Sequence, residues 1–136
     1  MIQSLDNKGL AEYLSKQLNS LFPDNEIRPS ILQSFIKKAV ERMEYCFSKV
    51  NIKYFFNGEN VLFNHLNTDQ YAMFLYYLSN TIWTKEKDDV LASKVYYLNK
   101  SLNGLDAFYE IILPDIFILT HPVGTVLEEL NIAIIL

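Results

Sequence analysis

Residues 105–127 read Leu105-Asp106-Ala107-Phe108-Tyr109-Glu110-Ile111-Ile112-Leu113-Pro114-Asp115-Ile116-Phe117-Ile118-Leu119-Thr120-His121-Pro122-Val123-Gly124-Thr125-Val126-Leu127. Apolar side chains recur at every sixth position, Leu105, Ile111, Phe117 and Val123. A period of six fits neither an amphipathic helix nor an alternating strand. It is the spacing of a hexapeptide-repeat β-helix, in which short strands stack around a triangular core. In that register Ile111, Phe117 and Val123 point inward, and Gly124 directly after Val123 marks a tight corner. Pro114 rules out a continuous helix through the stretch. The next position of the series is Glu129, where the pattern breaks. About one coil can be built from these residues, whereas a solenoid needs roughly three or more repeats for a stable core. The expected arrangement is therefore the start of a β-helix, cut short.

Residues 1–104, upstream of this stretch, read as helices. A first helix is expected from Asn7 to Phe22, with Leu10, Leu14, Leu18 and Leu21 on one face. A second begins at Ser30, with Gln33 three residues later as in a capping box. Ile31, Phe35, Ile36, Val40, Met43 and Phe47 form its buried stripe. Asn57-Gly58 signals a turn, and its flanks, Tyr54–Phe56 and Val61–Phe63, fit either strands or short helical turns. A third helix follows Thr68 to about Thr84, carried by Tyr71, Phe74, Leu75, Leu78 and Ile82. A fourth runs from about Asp88 to Leu102, with Gly104 at its C-cap. The chain thus divides into a helical unit, 1–104, and the start of a β-helix, 105–136.

Composition narrows the function classes. The chain has 136 residues and a net charge of -4, and its twelve Lys and Arg form no basic stripe, so no nucleic-acid partner is expected. Cys46 is the only cysteine, which excludes an intramolecular disulfide and suits a reducing cytoplasm. It reads as a small buried hydrophobe on a helix. No stretch approaches the ~20 apolar residues of a membrane span. Ile132–Leu136 is apolar but short, and the large residues of the helices, Phe35, Tyr71, Phe74, Tyr76, Tyr77, Tyr96 and Tyr97, predict self-association. His65 and His121 stand 56 positions apart with one cysteine in the chain, so no metal site is expected. P-loop, G-x-G-x-x-G, G-x-S-x-G and H-E-x-x-H motifs are absent.

Asp106 and His121 are the one His–carboxylate pair with a spacing argument. Their separation of fifteen is close to one coil, which would set a carboxylate near an imidazole. A carboxylate so placed fixes the tautomer and stabilises the imidazolium, as a general base for an alcohol requires. A turn histidine and a helix-cap aspartate are the alternatives. For His65 a surface or cap role is expected.

Asp106, His121 and the run Phe117–Leu127 resemble the serine O-acetyltransferases, hexapeptide-repeat enzymes with a helical N-terminal domain. The resemblance is ungapped over the 22 residues 106–127. It implies a mainly α chain, a helical bundle followed by a short extended segment that begins a left-handed β-helix. It also implies that His121 deprotonates the serine hydroxyl for attack on acetyl-CoA and that Asp106 orients His121, in cysteine biosynthesis. Thr120 stands where the family commonly has Asp, and Pro122-Val123 where small or hydroxylated residues are usual. Glu128 replaces an expected glycine. The later coils, which hold acetyl-CoA and form the trimer in the family, are not seen. The chain is thus expected to bind no acetyl-CoA and to be inactive alone, while association through its helices persists. A helical interaction module without catalysis, or a fragment of a sugar O-acetyltransferase, are the other readings.

Overall fold

The computed structural model describes residues 1–128. The elements run β1 (Ile2–Gln3), α1 (Asn7–Leu21), α2 (Pro29–Ser48), β2 (Leu62–Phe63), α3 (Thr68–Glu86), α4 (Asp89–Asn103), β3 (Asp106–Ala107) and β4 (Val126–Leu127). The protein is mainly α, with four helices and two short parallel strand pairs, β1 with β2 and β3 with β4. The break at Glu129 and the apolar run Ile132–Leu136 lie outside the described residues.

Helix ends follow local chemistry. Asp6, Asn67 and Asp88 cap α1, α3 and α4, their side-chain oxygens accepting from the amides of Gly9, Gln70 and Leu91. Each such bond satisfies an amide that the helix itself leaves unpaired. The capping box expected at Ser30 does not form. Helix α2 starts at Pro29, its N-cap is Arg28, and no side chain caps it. Proline at the first helical position presets φ and lacks the amide that would need a partner. The entry therefore shifts one residue upstream, and Leu32 is buried where Ile31, 51% exposed, was expected in the stripe.

Helix α3 is the centre of the molecule. Every residue from Gln70 to Ile82 is buried, well beyond the single stripe read from periodicity. A helix apolar around most of its circumference must be covered on all sides. Here α2 and α4 pack on two sides. Between α2 and α3 both readings of the Asn57-Gly58 region hold. A helical turn runs from Ile52 to Phe56, and a bridge then joins Phe56 to Val61 across the turn.

Residues 105–118 cover another side of α3. Leu105, Ala107 and Tyr109 belong to the same core cluster as the helices, and Phe117 packs against it. The Tyr76 hydroxyl donates to the Ile111 carbonyl and accepts from the Leu113 amide at 3.2 Å. The Asn80 amide donates to the carbonyls of Tyr109 (2.8 Å) and Ile111 (3.2 Å). Cys46, fully buried as expected, donates its thiol to the Phe117 carbonyl at 3.1 Å and accepts the Phe117 amide at 3.4 Å. The segment lacks a ladder along these residues, so side chains of α2 and α3 satisfy its main chain instead. One core therefore spans the boundary at residue 104.

The sixfold register is followed in part. Leu105 and Ile111 are buried and Phe117 is half-buried, but Val123 is 79% exposed rather than inward. An inward position is covered only where a neighbouring coil lies over it, and residues 105–128 make a single return. Among the described residues there is no stack of coils.

Candidate active site

Strand β3 follows α4 through Gly104, whose φ of +65° closes the helix in the left-handed region. The chain then travels out, turns at Pro122–Thr125, and comes back beside its own start. Asp106 lies opposite Val126 and Ala107 opposite Leu127, in parallel. The Gly124 amide donates to the Gly104 carbonyl at 2.8 Å, and the Asp106 amide to the Thr125 carbonyl at 2.9 Å. The return takes twenty positions, against the eighteen or so of a regular triangular coil.

Asp106 is half-buried beside α4. One carboxylate oxygen accepts from the Tyr96 hydroxyl at 2.6 Å, and the other lies 3.5 Å from the Lys100 ammonium. Tyr96 and Lys100 face the same way because they are four apart on α4. Burial, and then the neighbouring Asp106 carboxylate, hold the Tyr96 phenol above its ordinary value. Both disfavour a phenolate.

His121 is exposed and occupies the turn itself, with φ +49°. A non-glycine residue in the left-handed region carries a backbone cost of about 1–2 kcal/mol, and such residues gather at functional turns. The turn is held from α3: Asp69, in the first turn of that helix, accepts the His121 amide at 3.0 Å. A cavity of about 200 Å³ lies there, lined by Thr68, Asp69, Leu102, Asn103, His121 and Pro122 among others.

The structure thus places Asp106 and His121 on one return of the chain but in different surroundings. Among the described residues no hydrogen bond joins them. The carboxylate nearest His121 by hydrogen bonding is Asp69, and the partners of Asp106 are Tyr96 and Lys100. Sequence reading missed all three. Asp69 lies 52 positions from His121, with no motif linking them. Tyr96 and Lys100 sit in a helical stripe that reads as ordinary core and surface.

His65 takes the structural role expected of it. Its Nδ1 lies 2.7 Å from the Ser4 hydroxyl, and its amide donates to the same oxygen at 2.8 Å. This reciprocal pair, with Tyr13 edge-on to the ring at 5.1 Å, fastens the N-terminal strand to the turn before α3. Among the described residues there is no group of three metal-ligating side chains and no helix long and apolar enough to cross a membrane. No family model, no curated protein and no solved structure matches this chain.

Proposed function

We propose that the chain carries the helical domain and first coil of a serine O-acetyltransferase-like acyltransferase, with His121 as the base that takes the proton from an acceptor hydroxyl. The observation that carries this reading is the parallel return of Asp106–Ala107 onto Val126–Leu127. A parallel pair joined without a helical crossover is the hydrogen-bonding pattern of consecutive β-helix coils, and it supports the resemblance from a direction independent of residue identity. The exposed imidazole at a coil corner is open to a hydroxyl, as a base must be. Asp106, which orients the base by resemblance, here steadies the coil through Tyr96 and Lys100. The 200 Å³ space at His121 is smaller than pockets that hold even drug-sized ligands, about 300–1,000 Å³. The space beside His121 is by itself too small for acetyl-CoA. The reading gives the chain the base and leaves the acyl donor's site elsewhere. Cytoplasmic cysteine biosynthesis is part of the same proposal.

A second reading, an interaction module that self-associates through its helices, is favoured by the open groove of about 600 Å³ between α1 and α4. Leu21, Leu98 and Leu102 line it. Titration of L-serine against the His121 ring resonance, with His121→Ala to assign it, tests the first reading, and light scattering tests the second. A saturable shift of the His121 resonance with L-serine supports the base. A chain that associates and shows no change in the His121 resonance on adding millimolar serine supports the module and overturns the assignment of the base.

A further inference from the structure

A second cavity, away from His121, lies between α2, α3 and residues 113–117, with a volume of about 270 Å³. Arg42 from α2 enters its wall half-buried. The guanidinium is held in one pose. Nη1 donates to the Thr81 hydroxyl at 2.9 Å and the Tyr77 carbonyl at 3.3 Å, and the group stacks over the Tyr77 ring at 4.9 Å. Both bonds use one nitrogen. Nε–H and Nη2 make no close hydrogen bond and are not sealed from solvent, the guanidinium also faces the Tyr76 hydroxyl, and no carboxylate comes within 4 Å of it, among the described residues. A fixed guanidinium edge with its fork unspent is built to take a planar oxyanion through two parallel bonds.

The rest of the wall defines what can bring that anion. Tyr76, Tyr77, Phe117 and Leu113 supply an apolar and aromatic lining. The Tyr77 hydroxyl is buried beside the Cys46 thiol with no close hydrogen-bond partner among the described residues. Exposed Glu41 and Asp115 stand at the rim with Lys38. Two rim carboxylates repel a doubly charged phosphate more than a singly charged carboxylate. The volume suits a ligand below drug size.

We propose that this cavity is a binding site for a small monocarboxylate with an apolar or aromatic body, its carboxylate on the free edge of Arg42 and its body against Tyr76, Tyr77 and Phe117. The site is separate from His121, so the proposal stands or falls without the acyltransferase reading.

The test is a titration of the full chain with benzoate, acetate and inorganic phosphate, followed through the Arg42 Nε–H resonance by ¹H–¹⁵N NMR. Benzoate should give a saturable shift, tighter than acetate for its ring and tighter than phosphate for its single charge. Loss of a hydrogen-bonded charge is worth about 1.5–3 kcal/mol, so Arg42→Gln should weaken benzoate by roughly ten- to a hundredfold. Glu41→Gln alters only an exposed rim residue and should narrow the preference for benzoate over phosphate. A wild-type chain with no saturable shift at tens of millimolar benzoate overturns the proposal, and this arm does not depend on any variant folding. So does phosphate binding as tightly as benzoate, or benzoate binding unchanged in a folded Arg42→Gln.

Discussion

The Ile111 carbonyl offers a double-mutant cycle whose outcome can be worked from the structure. It is buried, and two side chains of α3 donate to it, the Tyr76 hydroxyl and the Asn80 amide at 3.2 Å. Tyr76→Phe leaves it Asn80, and Asn80→Leu leaves it Tyr76. Each single change also strands one other group. Tyr76→Phe strands the Leu113 amide, and Asn80→Leu the Tyr109 carbonyl. An unsatisfied buried polar group costs about 1–3 kcal/mol. The half-buried Leu113 amide can turn to water, so Tyr76→Phe should cost about 1 kcal/mol and Asn80→Leu about 2 kcal/mol. Only the double variant leaves the Ile111 carbonyl with no donor. It should therefore lose about 1–2 kcal/mol more than the sum of the singles, against the 0.3–0.5 kcal/mol scatter of independent sites. Urea unfolding followed by far-UV circular dichroism reads all four proteins. Additivity within 0.5 kcal/mol would refute the shared-acceptor reasoning. It would mean that the Ile111 carbonyl finds another donor or water once both side chains are gone.

Gly104→Ala should destabilise by about 1–2 kcal/mol, because φ is +65° and the added Cβ would meet Val123 Cγ1 at 3.2 Å; thermal melts alone and with Val123→Ala, which relieves only the contact, separate the two terms. Burial raises the phenols of Tyr71, Tyr76 and Tyr77 above the ordinary 10.0. Their unfolded forms ionise first, so the stability present below pH 10 should fall as pH rises toward the folded values, and a chain equally stable at pH 9 and 11.5 in urea would contradict this. Cys46 is fully buried and tied to Phe117, so alkylation under native conditions should proceed no faster than unfolding; labelling of the folded chain within seconds would show that residues 113–118 open on their own. Asp24 is held below its usual value by the Lys94 ammonium at 2.9 Å, so a small stabilisation present at neutral pH should disappear as pH drops through the folded value, and Asp24→Asn should remove that dependence while changing neutral-pH stability little, since the carboxylate is exposed.

The helices were legible because their signals are local. Apolar residues at helical spacing, leucines at i, i+4 on α1 among them, and Gly104 after the last run state the buried face and an end within a turn or two, whereas the caps Asp6, Asn67 and Asp88 emerged with the structure. The miss at α2 was also local, since Pro29 outranks Ser30 as a starting signal. The period of six in 105–123 predicted that this segment leaves the helical pattern, and it does. Periodicity could not say what would cover it. That depended on α3 burying all its faces, which placed Tyr76, Asn80 and Cys46 where the segment's main chain needed donors and acceptors. The candidate site shows the same division. Asp106 and His121 stand out in the chain as a pair fifteen apart. The partners they take, Tyr96 and Lys100 for one and Asp69 for the other, come from α4 and the start of α3, and no spacing rule links them. Local propensity and caps act over a few residues and are written in order along the chain. Side-chain pairing across elements is set by which faces meet, and that was decided only when α3 took the centre of the fold.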